Sequence, residues 1–223
     1  MRPAKPIDPE RDERLVVVAA DRFATVGYEA TSLNQVLSAA GWQKSSFYHY
    51  FADKSALHDH VVETLAGRLL GTASPPELAV LTSDTFWPSM ADFLAALGES
   101  AQRSPETRFL GEMFHRGPRP GDRADEPSGQ LSNLRTAVAD WLTRAVLRGR
   151  SLGVIRDDLP EELLIEITMA LLQTLDAWAV RHALHSPGGP WGAGESLQLV
   201  RDLIEQRPSG QHGIEGRRRA RSD

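Results

Sequence analysis

The chain contains no cysteine. That absence removes disulfides, thiolate metal sites and cysteine nucleophiles together, and it suits a reducing, cytoplasmic setting. Long apolar runs are missing as well. No stretch reaches the roughly 18–20 apolar residues that span a bilayer. The richest, Leu163 to Val180, is interrupted by Glu166, Gln173 and Asp176, so it reads as a buried helix. The first nine residues carry Pro3, Pro6 and Pro9 and no apolar segment, so no signal peptide is expected. Excess positive charge is also lacking. The net charge is −5 over 223 residues, which argues against general attraction to nucleic acid. A local electropositive face stays open, because residues 31–57 set Lys44 and Lys54 against Asp53 alone. No nucleophile elbow, phosphate loop or dinucleotide fingerprint occurs, so neither an enzyme nor a cofactor is expected. His58 and His60 would point apart on a helix, and His182 and His185 share a face without a third ligand; no metal is expected.

Alternation of period two is absent, whereas apolar residues recur with period 3.6, so the expected fold is all-α with about nine helices. The first helix starts at Asp8-Pro9-Glu10, with Asp8 as cap and proline in the first turn, and ends at Gly27. Leu15, Val18, Ala19, Phe23 and Val26 form its apolar stripe. Ser32 and Gln35 have capping-box spacing at the start of a second, short helix that buries Leu33, Val36, Leu37 and Ala40 and stops at Gly41. A third helix runs from about Lys44 to Tyr50, and a fourth begins at a capping Asp53 and continues to Gly71. Residues 72–76 form a small-residue and proline break. Further helices read from about Thr85 to Arg103, Ser104 to His115, Gln130 to Leu152 and Pro160 to Leu184, with a last one around Leu197 to Ile204. Gly117 to Gly129 and Ser186 to Gly194 read as loops. The expected organisation is 1–52, a helix-turn-helix domain; 53–71, a linking helix; 72–206, a second helical domain; and 207–223, a disordered basic tail.

The most informative segment is Thr31 to Leu57. A helix that enters a major groove roughly 12 Å wide needs polar groups on its exposed front. Lys44, Ser45, Ser46 and His49 supply them, while Phe47 and Phe51, four residues apart, pin the back of that helix to a core. Tyr48, Tyr50 and Lys54 offer hydroxyls and an ammonium at the edges, groups suited to phosphates. Backbone amides near Ser32 and Lys44 add further phosphate donors. Read singly, Tyr48 and Tyr50 are half-buried aromatics, Lys44 and Lys54 solvated lysines, and His49 a packing residue. Only the combined spacing favours DNA.

That spacing resembles the TetR family of transcriptional regulators. The resemblance rests on the aromatic cluster Phe47-Tyr48-His49-Tyr50-Phe51 with Lys54 and Leu57, preceded by Thr31-Ser32 and an Ala40-Gly41 turn, and it covers the chain to about residue 65. Farther on, Gly153-Val154-Ile155-Arg156-Asp157-Asp158-Leu159-Pro160 is similar to the link before the dimerising helices of many members. The resemblance implies a homodimer that binds a palindromic or near-palindromic DNA operator as a repressor, through Thr31, Ser32, Lys44, Ser45, Ser46, Tyr48, His49, Tyr50 and Lys54. Two positions depart from the pattern. Trp42 stands where a smaller aliphatic residue is usual. Gln43 stands where a serine or threonine cap is usual, which weakens that cap by about 1 kcal/mol.

The resemblance further implies a pocket for a small, largely apolar effector in the second domain. Trp87, Met90, Phe109, Met113, Phe114, Trp141, Met169 and Gln173 are the candidates to line it, with ordinary core as the alternative for each. The helix from Glu161 has more apolar faces than one core can cover. A partner subunit would cover the excess through Leu164, Leu171, Leu175, Trp178, Leu197, Val200, Leu203 and Ile204, in a four-helix interface. The alternative is a helix buried centrally in a monomer. A rival of another class is a helical carrier or enzyme for small molecules with no role on DNA. A third reading is a regulator whose pocket is filled by its own side chains.

Overall fold

The structure, a computed structural model, describes residues 6–103, 106–115, 129–183 and 193–206. The expected tail 207–223 and most of the two expected loops lie outside them. Among the described residues the chain forms nine α-helices: α1 (Pro9–Val26), α2 (Leu33–Ala39), α3 (Lys44–Tyr50), α4 (Lys54–Thr72), α5 (Phe86–Arg103), α6 (Thr107–His115), α7 (Gln130–Ser151), α8 (Glu161–Ala183) and α9 (Ala193–Ile204). A single 3-10 turn, Leu78–Val80, falls in the α4–α5 connection. No helix among the described residues is long and apolar enough to cross a membrane.

Local chemistry sets most of the helix ends. Asp8 accepts a hydrogen bond from the Arg11 amide at 3.2 Å, and Asp53 accepts one from the Ala56 amide at 2.9 Å. Both are caps that satisfy an otherwise orphaned N–H. The expected capping box on α2 does not form, since the Ser32 side chain makes no cap bond. Instead the α2 start is fixed by its neighbours: the Thr31 hydroxyl donates to the Gly27 carbonyl at 2.6 Å. Gly41, between α2 and α3, has φ +72°, a left-handed conformation that disfavours any residue with a Cβ. The turn there is closed by the Trp42 amide, which donates to the Leu37 carbonyl at 2.8 Å.

Two apolar cores result. The first joins Leu15, Val16, Ala19 and Phe23 of α1, Val36 and Leu37 of α2, Phe47 of α3, and Leu57, Val61, Val62 and Leu65 of α4. Val26, expected on the inner stripe of α1, is 44% exposed and falls outside it. Leu110 and Met113 of α6 and Leu131 of α7 belong to this same core, so the first four helices are sealed by residues from beyond α5. The second core joins Leu81, Phe86, Trp87, Met90, Val146, Ile155, Leu164, Val200 and Ile204. A two-stranded contact closes it: the Arg156 amide donates to the Ile204 carbonyl at 2.8 Å and the Gln206 amide to the Val154 carbonyl at 3.0 Å. This clamp ties the α7–α8 link to the end of α9.

Side chains also tie the elements around the first core together. Arg68 of α4 pairs with Glu13 of α1 and lies 3.5 Å from Glu106, just before α6. Arg135 of α7 donates to the Met113 and Phe114 carbonyls at 3.0 and 2.9 Å, placing a cation at the C-terminal end of α6. Asp59 of α4 accepts from the Gln130 amide at 2.9 Å and thereby caps α7 across the fold.

Candidate nucleic-acid interface

The α2–turn–α3 unit carries its apolar residues inward. Phe47 is fully buried and Phe51 nearly so, and their rings stack with centroids 5.3 Å apart. A seven-residue helix is too short to hold itself, so this anchoring fixes α3. Burial of the two phenyl rings leaves the opposite face free, and Lys44, Ser45, Tyr48 and His49 are exposed there. Tyr48 shows 58% of its surface, far more than packing alone would leave. Ser46 and Tyr50 are half-buried at the margins, as is Ser32 at the start of α2.

Two of the expected DNA-facing groups are placed otherwise. Thr31 is buried, and its hydroxyl is committed to the Gly27 carbonyl. Lys54 directs its ammonium to three backbone carbonyls, those of Tyr28 at 2.8 Å and of Glu29 and Thr31 at 3.3 Å. The same ammonium lies 4.3 Å from the Tyr28 ring centre. Lys54 thus clamps the turn ahead of α2, a use that sequence spacing does not reveal. Burial pushes the Tyr28 phenol above its usual pKa, and the carboxylates of Asp53, Glu29 and Asp59 add to the shift. The ring beneath Lys54 therefore stays neutral.

Trp42 is accommodated by α1. Its indole is buried, donates to the Arg11 carbonyl at 3.2 Å, and meets the Tyr50 ring edge-on with centroids 5.9 Å apart. The Arg11 guanidinium covers the ring at 4.8 Å. Gln43 is the N-cap of α3 and makes no side-chain cap bond, as its residue type predicts.

The expected effector-pocket residues do not converge. Phe109, Met113 and Phe114 belong to the first core, whereas Trp87, Met90 and Trp141 belong to the second. Met169 is half-buried on α8, and Gln173 is exposed to solvent. None of the eight lines either of two surface depressions, about 310 and 280 Å³, found beside α4 among the described residues. Composition alone could not assign these residues to one core or two. The residues expected at a dimer face divide in a similar way. Leu164, Val200 and Ile204 are buried within the subunit's own second core, and Leu171, Leu175 and Leu197 pack against that core. Among the described residues, the exposed large apolar side chains of α8 and α9 are Leu163, Trp178, Leu199 and Leu203, of which the sequence pattern picks out only Trp178 and Leu203.

Comparison with known proteins agrees with this arrangement. Residues 15–61, which hold most of α1, all of α2 and α3, and the start of α4, match the model of the bacterial regulatory proteins, tetR family. Curated protein sequences gave no significant match. Among solved structures, the chain is similar to a TetR family transcription regulator from Marinobacter aquaeolei, at 18% identity over 90% of this chain and 98% of that one, with a TM-score of 0.61. It is also similar to the TetR family regulator PfmR from Thermus thermophilus, at 23% identity over 85% and 96%, with a TM-score of 0.55. A member of the TetR regulator family from Streptomyces coelicolor shares 20% identity over 85% and 88%, with a TM-score of 0.57. At these identities the structures speak for the fold and the matched segment for the DNA-binding unit. Residues 15–61 thus carry the segment of the tetR family model, and the fold as a whole is similar to that of TetR family structures.

Proposed function

We propose that the chain is a homodimeric repressor whose two α3 helices enter successive major grooves of a palindromic operator, and that a small, largely apolar effector releases it. The observation that carries this reading is α3 itself, with Phe47 buried beneath and Lys44, Ser45, Tyr48 and His49 free above. Lys44, Ser45, Ser46 and His49 read the base edges, and Tyr48, Tyr50 and Ser32 hold phosphates. Thr31 and Lys54 shape the unit from behind. The working division is a DNA-binding domain at 1–52, a link at 53–71, and an effector and dimerisation domain at 72–206.

Coupling between the two ends is supported by α6. Leu110 and Met113 sit in the core of the DNA-binding unit, and Arg68 joins α1, α4 and the approach to α6. A ligand that moves α6 therefore acts on both helices that carry α2 and α3. By linkage, whatever factor the effector takes from DNA affinity, DNA takes from effector affinity. An apolar effector suits the second core, where the buried Trp87 indole N–H has no hydrogen-bond partner among the described residues. Leaving such a donor unmet costs about 1–3 kcal/mol, which a ligand carrying an acceptor would recover.

The test is selection of random duplex DNA by the full chain at about 100 mM salt, where non-specific contacts are already weakened. The expected result is enrichment of a two-fold symmetric site. A folded, dimeric protein that enriches no sequence would overturn the reading in favour of a small-molecule carrier.

A further inference from the structure

Arg11 and Arg14 lie some thirty residues before the recognition helix, and nothing in the sequence pattern attaches them to it. The fold does. Trp42 binds the Arg11 carbonyl through its indole N–H and carries the Arg11 guanidinium on its face. A Cβ placed on Gly41 would come within 4.0 Å of Nη1 of Arg14. Both guanidinium groups therefore flank the Gly41–Trp42 turn, two residues ahead of Lys44 at the start of α3. Arg11, Arg14 and Lys44 are all exposed.

The acids near them in sequence are occupied elsewhere. Asp8 caps the Arg11 amide, Asp12 lies 2.8 Å from His60, and Glu13 pairs with Arg68. Neither Arg11 nor Arg14 has an ion-pair partner among the described residues. Glu10, also exposed, is the one acid of this turn without a described partner. Like charges gathered at one edge repel one another, and an anion laid across that edge relieves the repulsion. Stacking on Trp42 also holds the Arg11 side chain in place before binding, which lessens the ordering cost of a contact.

We propose that Arg11 and Arg14 of α1 bind backbone phosphates of duplex DNA beside the base pairs read by α3, widening the footprint of each subunit. This rests on the reading of α3 as the recognition helix. Its ligand is the duplex backbone alone, so it adds affinity and salt sensitivity without changing which bases are preferred.

The experiment uses the full chain and the duplex enriched by selection. Binding is titrated with salt, and phosphate ethylation interference is mapped, for wild type, R11Q/R14Q and R11K/R14K. Loss of two phosphate contacts per subunit should lower the slope of log K against log salt by about 1.8 per subunit, at about 0.9 per contact. Interference at the flanking phosphates should vanish in R11Q/R14Q and return in R11K/R14K, with base preference the same in all three. A wild-type slope and a wild-type interference map for a folded R11Q/R14Q would overturn the proposal while leaving the α3 reading standing. A wild type that selects no duplex would overturn both.

Discussion

Lys54 reaches from the first turn of α4 to the backbone ahead of α2. Its ammonium meets the carbonyls of Tyr28, Glu29 and Thr31, which lie in the turn that delivers the chain into α2. Hydrogen bonds to a charged donor are worth about 1.5–3 kcal/mol in such settings. Lys54→Met keeps the aliphatic stem over Tyr28 and removes the charge. It should lower stability by about 1–3 kcal/mol in a denaturant titration. If the ammonium only organises the turn, the salt dependence of DNA binding will stay at the wild-type slope. A slope lowered by about 0.9 per subunit would return Lys54 to the phosphate-binding set. Spacing alone predicts a lysine near the groove, but a sequence holds no record of which acceptors that lysine meets. Trp42 poses the same difficulty in reverse. Its bulk is an evident departure in the sequence, whereas the carbonyl and guanidinium of Arg11 that receive it come from a distant turn of α1.

At the scale of whole elements, the helix ends are the most legible feature, because caps and glycines act over three or four residues. Asp8, Asp53 and Gly41 stand where their chemistry predicts. The cap on α7 is not legible, since its acceptor, Asp59, lies on α4, seventy-one positions away. Gly129 carries the counterpart of that bond. A Cβ there would fall against the Asp59 carboxylate. Gly129→Ala should therefore disturb the cap that Asp59 provides. Asp59→Ala should cost about 1 kcal/mol, as a lost N-cap does. Gly129→Ala should cost more, since it adds a clash to the lost cap. The double variant should cost less than the sum of the two single changes. Thermal melts of the three chains check this; simple additivity would mean the two residues do not communicate.

For the molecule as a whole, the proposed homodimer needs a surface that α8 and α9 leave uncovered. Helix α8 is apolar nearly all round, so periodicity names a buried helix without naming its partner. The subunit's own second core takes Leu164 from α8 and Val200 and Ile204 from α9. Leu163, Trp178, Leu199 and Leu203 remain at 37–43% exposure. In the homodimer proposed above, this face is the one left for the partner. Leu199 and Leu203, one helical turn apart on α9, give the cleanest test because neither contributes to the core. Leu199→Ser with Leu203→Ser should give monomers by sedimentation at micromolar concentration, while the melting of each subunit changes little. Operator affinity should then fall by about 10²–10⁴-fold, the range expected when two linked contacts become separate ones. Undiminished dimers from this variant would place the interface on another face and leave the exposed leucines without a role in assembly.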